Sequence, residues 1–226
     1  MPSKSWSSYS QSNTSAAGAA IYTRPLLAIY DLAVLGLSNR FVWRCPSKHI
    51  LQWYNAHISG NHLDIGVGTG YFLDHCQYPI AHPSLTLLDL NPNSLVWAAA
   101  RLQRYQPVTV LADILAPLPF RDKQFDSIGM NYLLHCLPGT MSAKAVVFRD
   151  LLPLLGEGGR VFGTTIVGQG LPHNRLARFL LQLYNRRRIF SNIADTLSEL
   201  ELIIGTHFRS YTTSVCGSVA FFAAEI

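Results

Sequence analysis

The chain has 226 residues, of which 49% are hydrophobic and 14% charged, and its formal net charge is +5. This length suits one domain with a small appendage, and the apolar composition allows a large buried core and a non-polar partner. The modest, scattered positive charge argues against nucleic acid as a partner, and no apolar run is long enough to span a bilayer.

Cysteine usage predicts a reduced, cytoplasmic protein. Cys45, Cys76, Cys136 and Cys216 form no C-x-x-C pair and lie at no zinc spacing with histidine, so small buried thiols are expected. Only 13 acidic residues are present, and no D-D or D-N pair suits a magnesium site, so no metal is expected. The single tight basic run, residues 186–188, fits either a phosphate or nucleic-acid contact or a solvated helix end.

The N-terminal part divides into a tail and two predicted helices. Residues 1–20 are rich in Ser and Ala and have no acidic residue; they predict a disordered tail, with a transit peptide as the alternative. Apolar residues at three- and four-residue steps predict a helix from Ile21 that ends at the Gly, Ser and Asn residues after Leu35. A second short helix follows Pro46, a residue favoured in a first helical turn.

From His62 onward, strand-like runs alternate with helical patterns, as in parallel β-α-β units. The C-terminal stretch has two further strand-like runs with no room for a crossover helix, which predicts a β-hairpin. Residues 168–198 interrupt this plan as a helical insertion near the carboxyl edge of the sheet, within a core of residues 59–226. The runs are HLDIG, SLTLLDLN, PVTVLADI, FDSIGMNYLLH and GGRVFGTTIV, followed by the hairpin stretch ELIIGTHFRSYTTSVCGSVAFFAAEI.

Three glycines at alternate positions follow the first strand, in HLDIGVGTGYFLDHC. A loop at this place lies at the carboxyl edge of an α/β sheet, where ligands bind, and Gly66, Gly68 and Gly70 let the backbone approach a ligand closely. Tyr71 stands where the dinucleotide fingerprint needs its third glycine, and the G-K-[ST] of a P-loop is absent. Asp64, just before the loop, would repel phosphate and attract a cation such as an amino group.

Two more carboxylates follow the next two strands. Asp89 lies about twenty residues beyond the loop, the spacing of a carboxylate that holds a ribose diol. Asp113 could accept from an exocyclic amine, while Ala112 and Ile114 shape a slot for a flat ring. Each carboxylate alone also fits a helix cap or a turn, but three at successive strand ends predict a ligand with an ammonium group, a ribose and an aminopurine and without phosphate.

With these residues in view, the chain from about residue 60 to its end resembles class I S-adenosylmethionine-dependent methyltransferases. In particular, it resembles small secondary-metabolite (polyketide) methyltransferases of fungi and bacteria. The resemblance implies an α/β, Rossmann-like, seven-stranded, mostly parallel sheet with an antiparallel last strand, helices on both faces and residues 21–58 as an N-terminal helical lid. The motifs that carry it are HLDIGVGTG, LTLLDLNPNSL, LADILAPLPFRDKQFD, SIGMNYLLHCL and LLPLLGEGGRVFGTTIV.

The resemblance also implies that S-adenosylmethionine is the cofactor and that ten residues bind it. The glycines would lie along its methionine part, Asp89 would bind the ribose hydroxyls, and Asp113 with Ile114 would hold the adenine. Asn131 and Tyr132, at the end of the fourth strand, would face the sulfonium. The full set is Asp64, Gly66, Gly68, Gly70, Asp89, Leu90, Asp113, Ile114, Asn131 and Tyr132.

The methyl acceptor is expected to be a small hydrophobic molecule. Because a sulfonium is already an activated electrophile, the protein mainly aligns the nucleophile and excludes water. The fourth motif lacks the N-P-P-Y of enzymes that methylate base amino groups, which argues against nucleic acid as substrate. We expect O-methylation of a phenolic or enolic hydroxyl, for example in a polyketide pyrone. N- or C-methylation is one alternative, and a cofactor-binding protein that acts as a cyclase or partner subunit is another.

Several side chains are candidates for handling the acceptor. His135, just past the fourth strand, and His173, in the insertion, are candidate general bases. Tyr22, Tyr30 and Trp43 could line an aromatic substrate pocket. Each has a structural alternative: a helix-start histidine bonded to backbone, a surface histidine, and aromatic residues that only pack between helices. A homodimer is left open.

Overall fold

The computed structural model describes residues 31–120 and 124–226, and its centre is a seven-stranded sheet with the strand order β3-β2-β1-β4-β5-β7-β6. Strand β7 runs antiparallel to both of its neighbours, and the pairs from β3 through β5 are parallel. The predicted mostly parallel sheet with an antiparallel last strand is confirmed. The strands are β1 Asn61–Ile65, β2 Ser84–Asp89, β3 Val108–Leu111, β4 Phe125–Asn131, β5 Leu155–Ile166, β6 Ser210–Cys216 and β7 Val219–Glu225.

Seven helices of more than one turn accompany the sheet in the described ranges, and the first of them has π-type winding. In this part of the chain, every helix is too short or too polar to cross a membrane. The predicted tail of residues 1–20 and the start of the predicted lid lie outside the described residues. The helices are α1 Asp31–Val42, α2 Ser47–His57, α3 Tyr71–His75, α4 Pro92–Arg101, α5 Met141–Leu151, α6 Arg175–Arg186 and α7 Leu197–His207.

Helices cover both faces of the sheet, as predicted, and each face has its own core. On one face, buried residues of α5 and α7 pack against the sheet; on the other, residues of α2, α3, α4 and α6 do so. Strand β7 is an example of a strand buried on both faces of the sheet: Phe222 belongs to the first core and Phe221 to the second. Such two-sided burial is typical of parallel sheets with crossover helices.

Short polar side chains begin the helices that follow the strands. The side chain of Asn91 accepts from the Asn93 N–H at the start of α4, and Pro92 occupies the first turn. Thr196 and Glu199 form a reciprocal capping box at the start of α7. These caps satisfy N–H groups that a helix start leaves without intrahelical acceptors.

Two predicted boundaries are wrong. Helix α1 continues to Val42 instead of ending before residue 40; Asn39 is fully buried and donates to Ser47 Oγ at 2.9 Å, so it joins two helices rather than ending one. The segment ELIIGTH belongs to α7, not to a strand-like run, because the capping box of Thr196 starts a helix there. Within the predicted insertion, residues 168–198, α6 is therefore the one complete helix, and it also packs against the sheet.

Candidate active site

The strand order reverses beside β1, which pairs with β2 on one side and with β4 on the other. After β1, the next two strands in sequence, β2 and β3, lie on one side of it, and β4 and β5 lie on the other side. At such a switch point the loops that leave adjacent strands diverge and open a crevice at the carboxyl edge of the sheet. The glycine loop after β1 and the end of β4 border this crevice.

The glycine loop has a conformation that side chains disfavour. Gly66, Gly68 and Gly70 have φ values of 71°, 56° and 72°, the left-handed region in which glycine carries no steric penalty. A Cβ on Gly66 would lie 3.0 Å from Leu133, whereas a Cβ on Gly68 would meet no atom within 4 Å. The middle glycine therefore faces open space, and the ligand can approach the backbone there.

Asp64 is a buried carboxylate held by two partners. The Tyr54 hydroxyl, from α2, donates to Asp64 Oδ1 at 2.8 Å, and His62 Nε2 lies 3.4 Å from the same oxygen. The other ring nitrogen of His62 lies 2.8 Å from Ser127 Oγ. Because both contacts fall on Oδ1, Oδ2 remains available to a cationic group in the crevice.

Asp89 closes the second strand and is bonded to the backbone around it. Oδ1 accepts from the Asn91 N–H at 2.8 Å, and Oδ2 accepts from the Gly68 N–H at 3.4 Å. Burial raises the pKa of this carboxyl to about 6, and the two backbone donors oppose that shift. A half-buried acceptor with an elevated pKa is suited to donors from a ligand, such as the hydroxyls of a ribose.

Asp113 and Ile114 border an apolar slot beyond Asp89. The Asp113 carboxylate accepts from the Leu115 N–H at 2.9 Å, which fixes its orientation. Ile114 is 5% exposed and belongs to the core below the slot. An apolar slot with one fixed carboxylate at its rim fits a flat ring that carries an amino group.

Asn131 and Tyr132 follow at the end of β4. Thr164 on β5 donates a hydrogen bond from its hydroxyl to Asn131 Oδ1, and the Tyr132 N–H donates to the Thr164 carbonyl at 2.8 Å. Tyr132 has a φ of 54°, a left-handed conformation that is uncommon for a residue with a side chain. Tyr132 lines both cavities of the crevice.

These residues line two adjoining cavities, one of about 480 Å³ and one of about 710 Å³, both open to solvent. Gly66, Gly68 and Tyr132 border both. Among the described residues that line them there are three Asp and no Lys or Arg, so the lining suits a positively charged ligand and not a phosphate. The ten predicted residues all line one cavity or both: Asp64, Gly66, Gly68, Gly70, Asn131 and Tyr132 in the first, and Gly66, Gly68, Asp89, Leu90, Asp113, Ile114 and Tyr132 in the second.

His135, a predicted general base, lies behind the cavity wall. It is 3% exposed, and its Nδ1 accepts from the Ile166 N–H at 3.3 Å. Its ring packs edge-on against the rings of Tyr132 and Phe190. Burial, and then the nearby Lys144 ammonium, lower its pKa to about 3. A neutral imidazole with such a low pKa is a weak proton acceptor.

His173, the other predicted base, follows β5 at the carboxyl edge. Its Nδ1 lies 2.9 Å from Ser218 Oγ, and its buried Nε2 makes no hydrogen bond. Burial lowers its pKa, so the ring is uncharged at neutral pH. The next residue, Asn174, donates to the carbonyls of Phe41 and Val42 and so joins this segment to α1.

Trp43, predicted to line a substrate pocket, is 3% exposed and belongs to the core between the N-terminal helices and the sheet. Its ring lies 6.2 Å from that of Phe190, so its observed role is packing. Tyr22 and Tyr30 lie outside the described residues. Leu35, on α1, does line the first cavity.

Some lining residues were not predicted. Tyr54 reaches Asp64 from a helix that precedes the core in sequence, and Leu133 and Cys136 contribute apolar surface to the second cavity. Burial raises the pKa of the Cys136 thiol to about 12, so it remains protonated. No motif marks Tyr54, which comes close to the crevice only because α2 packs against the sheet. Leu133 and Cys136 lie in the motif SIGMNYLLHCL just after β4, so their place in the sequence could have indicated them.

Comparisons with known proteins found relatives that match most of the chain. The "Methyltransferase domain" family model matches residues 63–161. The demethylluteothin O-methyltransferase of Streptomyces thioluteus is 39% identical over 207 residues, which cover 92% of this chain and 90% of that protein. The Physcion biosynthesis cluster O-methyltransferase of Aspergillus chevalieri is 39% identical over 209 residues, covering 92% and 94%. A similar fold occurs in the N-methyltransferase NodS from Bradyrhizobium japonicum WM9 in complex with S-adenosyl-l-homocysteine, with a TM-score of 0.54, 17% identity, and coverage of 79% of this chain and 84% of that one.

Proposed function

The chain belongs to the S-adenosylmethionine-dependent methyltransferases, and from this premise we propose that it methylates a phenolic or enolic hydroxyl of a small hydrophobic natural product. A polyketide pyrone is one example of such an acceptor. The observation that carries the proposal is the likeness, over nearly the whole chain, to two proteins named as O-methyltransferases. A fold alone would not choose the acceptor atom, because N-methyltransferases share it.

The two cavities support a cofactor that lies across them. Asp64 Oδ2, free of the contacts that hold Oδ1, would accept from the amino group of the methionine part. Asp89 would accept from the ribose hydroxyls, and the slot beside Ile114 would hold the adenine. S-adenosylmethionine supplies an activated methyl group on a positively charged sulfur, and Asn131 and Tyr132 border the place where this sulfur would lie.

The protein must also hold the acceptor hydroxyl in line with the bond between the methyl group and the sulfur, and it must exclude water from the active site. We assign the role of general base to His173. When its Nδ1–H donates to Ser218 Oγ, Nε2 carries an unused lone pair. His173 lines neither of the two cavities and this Nε2 is buried, so the role requires that the segment around His173 move to bring Nε2 to the acceptor hydroxyl. His135 would act only as a positioning residue, because its Nδ1 already accepts from the Ile166 N–H and its pKa is about 3.

The experiment is a transfer assay with labelled S-adenosylmethionine and matched acceptors. Hydroxylated pyrones and anthraquinones would be compared with their methyl ethers and with amine analogues of the same skeleton. Methylation of the free hydroxyl alone, located by mass spectrometry and NMR of the product, is the expected result. Methylation of the amine or of a ring carbon would refute the O-methylation proposal, and no product from any acceptor would refute the acceptor class.

The assignment of His173 has its own test. His173→Gln should lower kcat by roughly 100-fold or more, the usual contribution of a general base, with little change in cofactor affinity. His207→Gln is the matched control, because His207 lies at the end of α7 and bonds only to the Ile203 carbonyl there. A His173→Gln enzyme with unchanged kcat across the pH range would remove the residue from the mechanism.

A further inference from the structure

Three side chains that can ligate a soft metal converge on the side of the molecule where the N-terminal helices meet the C-terminal hairpin. Cys45 lies between α1 and α2, His49 lies in the first turn of α2, and Cys216 ends β6. Their ligand atoms all lie within 4.8 Å of one another. We propose that Cys45, His49 and Cys216 bind a zinc ion that fastens the hairpin to the N-terminal helices.

The spacing of His49 and Cys216 fits a tetrahedral site, and the upper limit on the distances to Cys45 is compatible with one. Zinc binds thiolate sulfur at about 2.3 Å and imidazole nitrogen at about 2.0–2.1 Å, so in a tetrahedron the sulfur and nitrogen lie about 3.6 Å apart. His49 Nδ1 and Cys216 Sγ are 3.6 Å apart. Two sulfurs in such a site would lie about 3.8 Å apart, which the 4.8 Å limit on the three ligand atoms permits.

The backbone around the cluster is already fixed without metal. The Cys45 N–H donates to the Asn39 carbonyl at 2.8 Å, and the Ser218 N–H donates to the Trp43 carbonyl at 2.8 Å. Between them, Gly217 passes so close that a Cβ there would lie 2.1 Å from the Trp43 oxygen. A preorganised frame of this kind loses little conformational entropy when it binds an ion.

The charges of the ligand set also suit zinc. Two thiolates and one neutral imidazole neutralise a divalent cation, so the assembled site carries no net charge into the protein. Cys45 is fully buried, while His49 and Cys216 are partly exposed, which leaves room for water at a fourth position. Burial raises the pKa of the Cys45 thiol, so zinc has to displace the proton of that thiol as it binds.

The proposed role is structural. The three ligands are distinct from the described residues that line the two cavities of the active site. Cys45 and His49 are neighbours in sequence, but Cys216 lies 167 residues beyond His49, so no spacing motif predicts the three together. A shared ion would tie the segment that leads into α2, the helix carrying Tyr54, to the hairpin.

The test uses the full chain, reduced and stripped of metal. Zn²⁺ affinity is measured by competition with a chromophoric chelator, and Co²⁺ is used as a spectroscopic probe. We expect one equivalent of zinc per chain, release of protons on binding, and a thiolate-to-cobalt charge-transfer band. Cys216→Ser and His49→Gln should each weaken zinc binding by at least about 100-fold. Cys76→Ser, which alters a buried thiol elsewhere in the described chain, should leave it unchanged.

Thermal unfolding separates a loss of the site from a loss of the fold. In chelator the wild type and Cys216→Ser should melt at the same temperature, and added zinc should raise only that of the wild type. The proposal is overturned if the reduced wild type binds no zinc, if the cobalt complex lacks the thiolate band, or if Cys216→Ser gains the same thermal shift as the wild type.

Discussion

Replacement of Asp89 by Asn should weaken cofactor binding and at the same time stabilise the ligand-free protein. The carboxylate accepts from the Asn91 N–H at 2.8 Å and from the Gly68 N–H at 3.4 Å. An amide of nearly the same shape keeps one acceptor for the shorter bond, but it has no charge and presents a donor in place of the second oxygen. The two effects have opposite signs because they depend on different states of the protein.

The stability effect follows from the pKa. Burial raises the pKa of Asp89 from 3.8 to about 6, and at about 1.4 kcal/mol per pKa unit, ionising it in the folded protein costs up to about 3 kcal/mol. Solvent reaches part of the side chain, so we expect Asp89→Asn to gain about 1–2 kcal/mol. Since the folded pKa is raised, the wild type loses this stability as pH rises toward and through 6. The advantage of the variant should therefore be present at pH 8 and absent at pH 4.

The binding effect follows from the hydrogen bonds. A hydrogen bond to a charged group contributes about 1.5–3 kcal/mol. Loss of one such bond from a ribose hydroxyl predicts a Kd for S-adenosylhomocysteine that is about 10- to 150-fold higher. An analogue that lacks the ribose 2′-hydroxyl should be affected less by the substitution than the natural ligand is.

Titration calorimetry and urea unfolding measure the two effects on the same preparations. Asp150→Asn is the matched control, because Asp150 pairs with Arg149 on the surface of α5. The reasoning is refuted if Asp89→Asn binds the natural ligand as tightly as the wild type does. It is also refuted if the variant loses equal affinity for the natural ligand and the deoxy analogue.

Three further predictions follow from buried groups. Binding of S-adenosylhomocysteine to the wild type should weaken as pH falls below about 6, because the ribose hydroxyls donate to the ionised form of Asp89. Below this pH, binding should release a proton, which calorimetry in buffers of different ionisation enthalpy detects. Tyr54→Phe should destabilise the protein by about 1.5–3 kcal/mol in urea unfolding, since the Asp64 carboxylate loses its 2.8 Å donor without any change in packing volume. Lys144→Met should destabilise by about 3–5 kcal/mol in the same assay, because it leaves Asp195 buried without its 2.6 Å ammonium partner.

Each of these has a control. A wild type whose affinity is flat from pH 7 to about pH 5 would contradict the assignment of Asp89, given its pKa of about 6. Tyr78→Phe removes a hydrogen bond to the neutral Leu73 carbonyl, so it should lower the free energy of unfolding by only about 1 kcal/mol. An equally small loss in Tyr54→Phe would contradict the claim that Tyr54 donates to an ionised Asp64. Adding Asp195→Leu to Lys144→Met should restore stability, and a further loss would show that the ion pair is not the cause.

The residues that line the crevice were predictable because they occupy local positions at strand ends. Gly66, Asp89 and Asp113 each follow a strand-like run, and the carboxyl ends of neighbouring parallel strands meet at one edge of the sheet. The parallel strands followed from the same alternation of runs, and the C-terminal hairpin followed from the lack of room for a crossover helix. Their signals are short-range, so no tertiary contact had to be known. The seven-stranded sheet with an antiparallel last strand was implied by the family resemblance.

Other features depend on contacts between distant segments and gave no local signal. Tyr54 meets Asp64 only because α2 packs across the sheet, and Cys45 meets Cys216 only because the hairpin returns to the N-terminal helices. Lys144 is fully buried although lysine usually lies at the surface, since Asp195 neutralises it. By contrast, the start of α7 was marked in the sequence by its capping box, and that signal could have prevented the error there.

A crystal structure of the complex with S-adenosylhomocysteine tests the central claim most directly. We predict an amino group within hydrogen-bonding distance of Asp64, ribose hydroxyls on Asp89, adenine beside Ile114 and the sulfur next to Asn131 and Tyr132. A ligand bound outside the two cavities, or one bound with its adenine at Asp64, would contradict the account.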